Sequence, residues 1–361
     1  MPSRGREPTV LAKAACLQAA CLLVATTWAF GGNADWVRPY LAAGGALGAA
    51  ITFAAALAPE GCVAAARRWW ALAPLALFNA LALLGAAHPG FRPIRLGGQL
   101  YFMPRFVPAW RPSAALPGIV LPELGLFDGL YLSAFNLFLL VHRRRALRGV
   151  LLALVGNAAA LAAFGTVQKL THARGLYFGR VASPQSAFFS TFVYDNHWGA
   201  FIVLMAGAAL GLAWHYAVRR SSRNFFHTPG FASLFAVLLM AVTVPLSGAR
   251  VCSVLLLALA AEAVVRWLLR QRARKNRPAA RRAILLALAA IACGLAAVGY
   301  VGQDVIPARI AATRRQVRTM LAERNIGSRS ELYEDTWRMA EDRPWFGWGM
   351  GSYPWVFQLY N

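Results

Sequence analysis

The sequence predicts an all-α, polytopic membrane protein with about nine transmembrane helices and an external loop that contains short helices. Three observations predict it. The 361 residues are 58% hydrophobic and only 14% charged, more apolar surface than a soluble domain can hide. The apolar residues fall into long runs, each able to cross a bilayer, with polar loops between them. Basic residues cluster in alternate loops, the bias that membrane insertion leaves on cytoplasmic loops.

Arg4, Arg6 and Lys13 precede the first run, residues 14–30. It reads as an uncleaved span, because no clear small-residue cleavage site follows and Cys21 lacks a lipoprotein box. Further spans are expected over 40–58, 70–87, 124–141, 149–167, 198–217, 231–246, 250–269 and 283–301. The N-terminus and the basic loops near residues 67, 144, 220 and 275 fall on one side if these spans alternate. The N-terminus is then cytoplasmic and the last span ends outside. Residues 1–301 form a transmembrane domain on this reading, and residues 302–361 an external, periplasmic segment.

Net charge is +23, from 37 Lys and Arg against 14 Asp and Glu. Such an excess suits nucleic acid, anionic lipid or an acidic substrate. Nucleic acid is set aside, since the basic residues are dispersed among apolar spans without a binding motif. Cys16, Cys21, Cys62, Cys252 and Cys293 have neither metal-ligand nor redox spacing; no disulfide and no metal are expected.

Several arginines fall on the external side, where such residues should be scarce. One group is Arg92, Arg95, Arg105 and Arg111, in the long proline- and aromatic-rich segment 88–123. A second is Lys169, Arg174 and Arg180; a third runs from Arg250 through Arg309, Arg314, Arg315, Arg318 and Arg324 to Arg329. Long external loops tolerate some of this, but the guanidinium fork fits phosphate oxygens better than a lysine does. Arg250 stands out, because it follows a short Ser-Gly turn between two apolar spans. An ionised group near hydrocarbon costs roughly 2.5–3.5 kcal/mol unless it finds a partner, water or a lipid head group to snorkel to. Residues 304–325 place Ile310, Val317, Met320 and Leu321 on one helical face with arginines elsewhere, the pattern of a helix lying on a membrane. Tyr194-Asp195-Asn196-His197 opens a span, either as an N-cap or as a polar lining of a cavity mouth. His88 and His172 read as solvated loop histidines.

The polar stretch near the far end is the most informative. Ser328 and Glu331 have capping-box spacing, so a helix starts there. Leu332, Thr336 and Ala340 should share one side of it, with Glu331, Glu334, Asp335 and Arg338 on another; Pro344 ends it. Gly347, Gly349 and Gly351 then alternate with Trp348 and Met350, a spacing that lets backbone pass close to a ligand or another element. An amphipathic surface helix followed by a turn explains the pattern equally well.

Arg329, then Trp337, then Asp342-Arg343-Pro344-Trp345-Phe346-Gly347-Trp348-Gly349-Met350-Gly351-Ser352-Tyr353 resembles the signature of the O-antigen ligase and polymerase superfamily. Ser247-Gly248-Ala249-Arg250 is similar to that family's S-x-S-R span junction, with Ala249 in place of the usual serine, and Tyr194 to His197 resembles the polar start of one of its spans. The resemblance implies a GT-C-like glycosyltransferase in the bacterial inner membrane. Its reaction would move a glycan from an undecaprenyl-diphosphate carrier to a hydroxyl on a lipid A-core, another glycan or a protein. No cofactor or metal is implied. Arg250 and Arg329 are implied to hold the diphosphate, with Asn196, His197, Trp337, Gly347, Gly349 and Gly351 as possible lining. In the family a histidine later in the same loop serves as general base and further spans follow. Here no histidine lies after His227 and the sequence stops at Asn361, so the resemblance implies a truncated chain whose base is unassigned; Glu331, Glu334, Asp335 and Asp342 are candidates that spacing does not separate. Ligase and polymerase are not distinguished. A transporter would be expected to show repeats and mid-membrane acids, whereas no repeat is visible and Asp128 and Glu262 lie near span ends. A non-catalytic membrane scaffold is the remaining alternative.

Overall fold

A computed structural model of the chain describes residues 9–58, 68–185, 187–219, 227–272, 318 and 328–360. The ninth expected span, the helix expected over 304–325 apart from Arg318, Cys62 and Cys293 lie outside the described residues. Among those described, seven helices are long and apolar enough to cross a membrane. They are α1 (Val10–Trp28), α2 (Arg38–Leu57), α3 (Ala73–Ala87), α4 (Pro117–Leu140), α5 (Arg144–Leu170), α6 (Asp195–Arg219) and α7 (Pro229–Ser247), counting the 3-10 turns that lead into α2 and α3. The eighth expected span also forms a helix, α8 (Arg250–Arg272), and the external helix α9 covers Ser328–Asp342. The chain is a predominantly helical, multi-span membrane protein.

Packing divides the chain into two units. The first comprises residues 1–19, 38–142 and 315–361, the second residues 20–37 and 143–314. In the first, α2 and α4 cross where Gly45 meets Gly129, and a Cβ on Gly129 would lie 2.5 Å from the Gly45 Cα. Polar side chains lock the crossing. Asn136, fully buried, donates to the Gly48 carbonyl (2.7 Å) and accepts from Thr52 (2.8 Å). Gln18 donates to Ser133 Oγ (2.8 Å) and to the Gly44 carbonyl (2.9 Å). Between helices in lipid the hydrophobic drive is absent, so small-residue contact and such hydrogen bonds supply the association.

One sequence expectation changes here, and one segment gains an element. The helix expected from residue 124 begins at Pro117, because a proline at the first helical position is pre-set for the turn and Pro122 removes only one early ladder bond. The proline- and aromatic-rich segment before it, to which the sequence reading gave no element, contains a β-hairpin: β1 (Phe91–Leu96) pairs antiparallel with β2 (Gln99–Pro104). Gly97 and Gly98 turn it at φ +59° and +83°, the left-handed pair a two-residue hairpin turn requires.

In the second unit, α5, α6, α7 and the start of α8 surround a core containing Trp198, Phe189, Leu161, Ile202, Met240 and Val244. Trp198 is fully buried, and its indole N–H donates to Thr243 Oγ1 (3.3 Å). The loop before α6 is pinned inward: Ser190 Oγ donates to the Leu161 carbonyl (2.9 Å) and Thr191 Oγ1 to the Thr27 carbonyl (2.6 Å). Every buried backbone carbonyl so used is one less unsatisfied group in an apolar medium.

Candidate functional site

The junction of α7 and α8 belongs to the second unit. Gly248 adopts φ +92° and closes α7, its N–H donating to the Pro245 carbonyl (3.2 Å), and Ser247 Oγ donates to the Val244 carbonyl (2.7 Å). Only Gly248 and Ala249 separate the two helices, so Arg250 falls in the first turn of α8, exposed, as the sequence places it. Ala249 is fully buried. It faces Gly199 of α6, where an added Cβ would lie 2.7 Å from the Ala249 Cβ and 2.8 Å from the Cys252 sulfur. Asn196 and His197 sit in the first turn of α6, both exposed, and the Cys252 thiol reaches to 3.9 Å from the Asn196 carbonyl. Two helix N-termini therefore lie side by side at Arg250, each with first-turn N–H groups that lack an intrahelical acceptor and with the positive end of its dipole. Asp195 Oδ1 accepts the Asn196 N–H (2.8 Å), satisfying one of them, and His197 packs against Tyr194 with ring centres 5.1 Å apart.

The glycine run belongs to the first unit. Helix α9 begins at Ser328 and ends at Asp342, in agreement with the capping box and Pro344. Arg329 lies in its first turn; its side chain is outside the described residues. Met339 is buried and Asp335 and Thr336 are half-buried, whereas Leu332 and Ala340 are exposed. The reason is Trp348, whose indole N–H donates to the Met339 carbonyl (2.9 Å) and draws that side of the helix onto the run. Trp337 is exposed, its indole N–H donating to Glu341 Oε1 (2.7 Å).

Beyond α9 the chain is wedged against the segment between the hairpin and α4. The Ala115 N–H donates to the Trp348 carbonyl (2.8 Å), and Met350 packs on Ala114, Val120 and Leu124. Gly349, at φ +89°, passes so close to Ser113 and Ala114 that a Cβ would sit 2.6 Å from the Ala114 Cα; Gly351, at φ +71°, lies against Ile119 and Glu123. Gly347, at φ +61°, has open space beside it. Of the two uses the glycine spacing allowed, Gly349 serves close approach to another element.

Arg343 stands within the sequence motif, which by itself assigns it no task. It is 8% exposed, donates to Ser113 Oγ (3.2 Å) and the Pro108 carbonyl (3.4 Å), and stacks over Trp348 with its guanidinium carbon 5.0 Å from the ring centre. Tyr360 returns to α9 and donates its hydroxyl to Asp342; burial, then that bond and the carboxylate charge, push the phenol above the ordinary tyrosine range. His88 is not a free loop side chain: Nδ1 lies 2.8 Å from the Leu84 carbonyl and Nε2 2.6 Å from Arg111 Nη2. The carbonyl fixes the proton on Nδ1, leaving Nε2 to accept from Arg111.

The chain was compared with known proteins. Residues 235–361 match the family described as O-Antigen ligase, a stretch that takes in both the α7–α8 junction and the glycine run. No curated protein and no solved structure matches the chain. Over residues 235–361, therefore, the chain carries the sequence pattern of the O-antigen ligase superfamily.

Proposed function

We infer that the chain is a membrane glycosyltransferase of the O-antigen ligase type, moving a glycan from an undecaprenyl-diphosphate carrier to a hydroxyl acceptor in cell-envelope polysaccharide assembly. The observation that carries this reading is the position of Arg250. An exposed guanidinium stands in the first turn of α8, beside the start of α6, within the matched residues. Fixed cationic charge and helix N-termini together suit the oxygens of a diphosphate. Transfer from such a carrier leaves a diphosphate behind, so the charge developing on the leaving group is what the protein must stabilise. Preorganised donors in a water-poor site commonly provide the largest share of such stabilisation. Arg250 and Arg329 are assigned this role. Asn196 and His197, next to Arg250, and Trp337, on the helix that carries Arg329, are assigned as lining. The inner membrane is the proposed location, with a cytoplasmic N-terminus and residues 302–361 on the periplasmic side.

The test is consumption of a lipid-diphosphate-linked glycan by membranes containing the full chain. Removing one donor of this type costs about 10²–10³-fold in rate, so Arg250→Ala and Arg329→Ala should each lower turnover by that order. Arg266→Ala, which removes an exposed ion pair with Glu262 within α8, should leave it unchanged. Wild-type rates in both arginine variants would overturn the assignment.

A further inference from the structure

We propose that the hairpin Phe91–Pro104 and the residues that follow it, to Trp110, form an arm that docks on an anionic lipid surface. The arm is rooted in the first unit. Phe91 is buried with Ala115, Met339 and Val356 and stacks on Trp348 at 6.0 Å. The Gly90 N–H donates to the Ala114 carbonyl and the Arg105 N–H to the Gly90 carbonyl, each at 2.8 Å. Past that root most of the arm's large apolar side chains are exposed. Leu96 is 60% exposed, Phe106 96% and Trp110 68%, and Tyr101, Phe102 and Met103 are exposed as well.

A two-stranded hairpin is marginal by itself in water. In this register Ile94 lies beside Tyr101 on one face and Pro93 beside Phe102 on the other, so both faces present apolar groups. Such a ribbon, rooted three residues after one candidate membrane span and connected to the start of the next, lies at the level where those helices leave the membrane. Aromatic rings with arginines are the side chains that settle at that level.

The charge selects the lipid. Between residues 88 and 122 the sequence has four arginines, no lysine and no acid. Arg111 is engaged with His88, while Arg92, Arg95 and Arg105 are exposed along the arm. Phosphate-bearing head groups of net negative charge complement this. A glycan would be a poorer occupant: sugar hydroxyls call for carboxylates and amides, of which the segment offers Gln99 alone, and Leu96, Met103 and Phe106 would remain wet.

The full chain, reconstituted in nanodiscs of phosphatidylcholine alone or with about one third phosphatidylglycerol, tests this by hydrogen–deuterium exchange of residues 91–110. The arm should exchange at least about tenfold more slowly with phosphatidylglycerol present. The triple variant Arg92→Ala, Arg95→Ala, Arg105→Ala should lose that difference while residues 344–360 keep their protection, which shows that the root is intact. Phe106→Ser with Trp110→Ser should weaken protection in the same way. Equal exchange in the two lipids overturns the proposal. Protection that arises only when a soluble glycan acceptor is added also overturns it, and assigns the arm to the acceptor.

Discussion

Arg343 Nη1 donates to Ser113 Oγ across 3.2 Å, joining positions 230 residues apart in the chain. This bond, the contact of the same guanidinium with Trp348 and its reach to the Pro108 carbonyl hold the glycine run on the segment ahead of α4.

Arg343→Lys should therefore fail to substitute. Lysine keeps the charge but lacks the planar fork that bonds Ser113 while stacking on an indole. Losing a charge-assisted bond costs roughly 1.5–3 kcal/mol, so amide exchange over residues 344–360 should accelerate by about tenfold to a hundredfold in Arg343→Lys and no less in Arg343→Ala.

Gly349 and Gly347 differ in a way that one pair of variants reads. Both have positive φ, but only Gly349 has backbone where a Cβ would go. Gly347→Ala should cost only the left-handed strain, about 1–2 kcal/mol. Gly349→Ala should displace the run from Ala114 altogether, seen as loss of the Trp348 environment in near-UV circular dichroism.

Gly199→Leu probes the neighbourhood of Arg250 without touching it. The new side chain has Ala249 and Cys252 in its way, so α6 and α8 must part. Glycan transfer should fall at least about tenfold, as expected when groups around a reacting centre are misplaced by about an ångström, while Gly211→Leu, with nothing near its Cβ, should be tolerated.

Tyr360 gives a pH signature. Its phenol is raised above the ordinary value of 10.0 in the folded chain, so the folded state holds this proton more tightly than the unfolded one. That contribution is fully present below pH 10.0 and declines as pH rises beyond it toward the folded value. Absorbance at about 295 nm during alkaline titration should show a late-ionising component that shrinks by one tyrosine in Tyr360→Phe.

The apolar spans, the start of α9 at Ser328 and the α7–α8 turn were legible in the sequence because each is local: composition, a capping box and a Ser-Gly pair announce them. The hairpin was not, since Phe91 to Pro104 lacks the polar alternation of a half-buried strand and is apolar on both faces. Which side of α9 is buried was not legible for a different reason. Helical spacing alone grouped Ala340 with Leu332 and Thr336, but Trp348 and Phe91 lie elsewhere in the chain and select Met339. The task of Arg343 was hidden likewise, because its partner Ser113 is set by tertiary packing that no motif records.

The two-residue turn at Gly248 and Ala249 has a mechanical corollary. A connection so brief leaves no slack, so α7 and α8 cannot slide past one another along the bilayer normal. The length of α7 thus acts as a ruler that sets how deep the Arg250 guanidinium sits, and any piston-like stroke must carry both helices together.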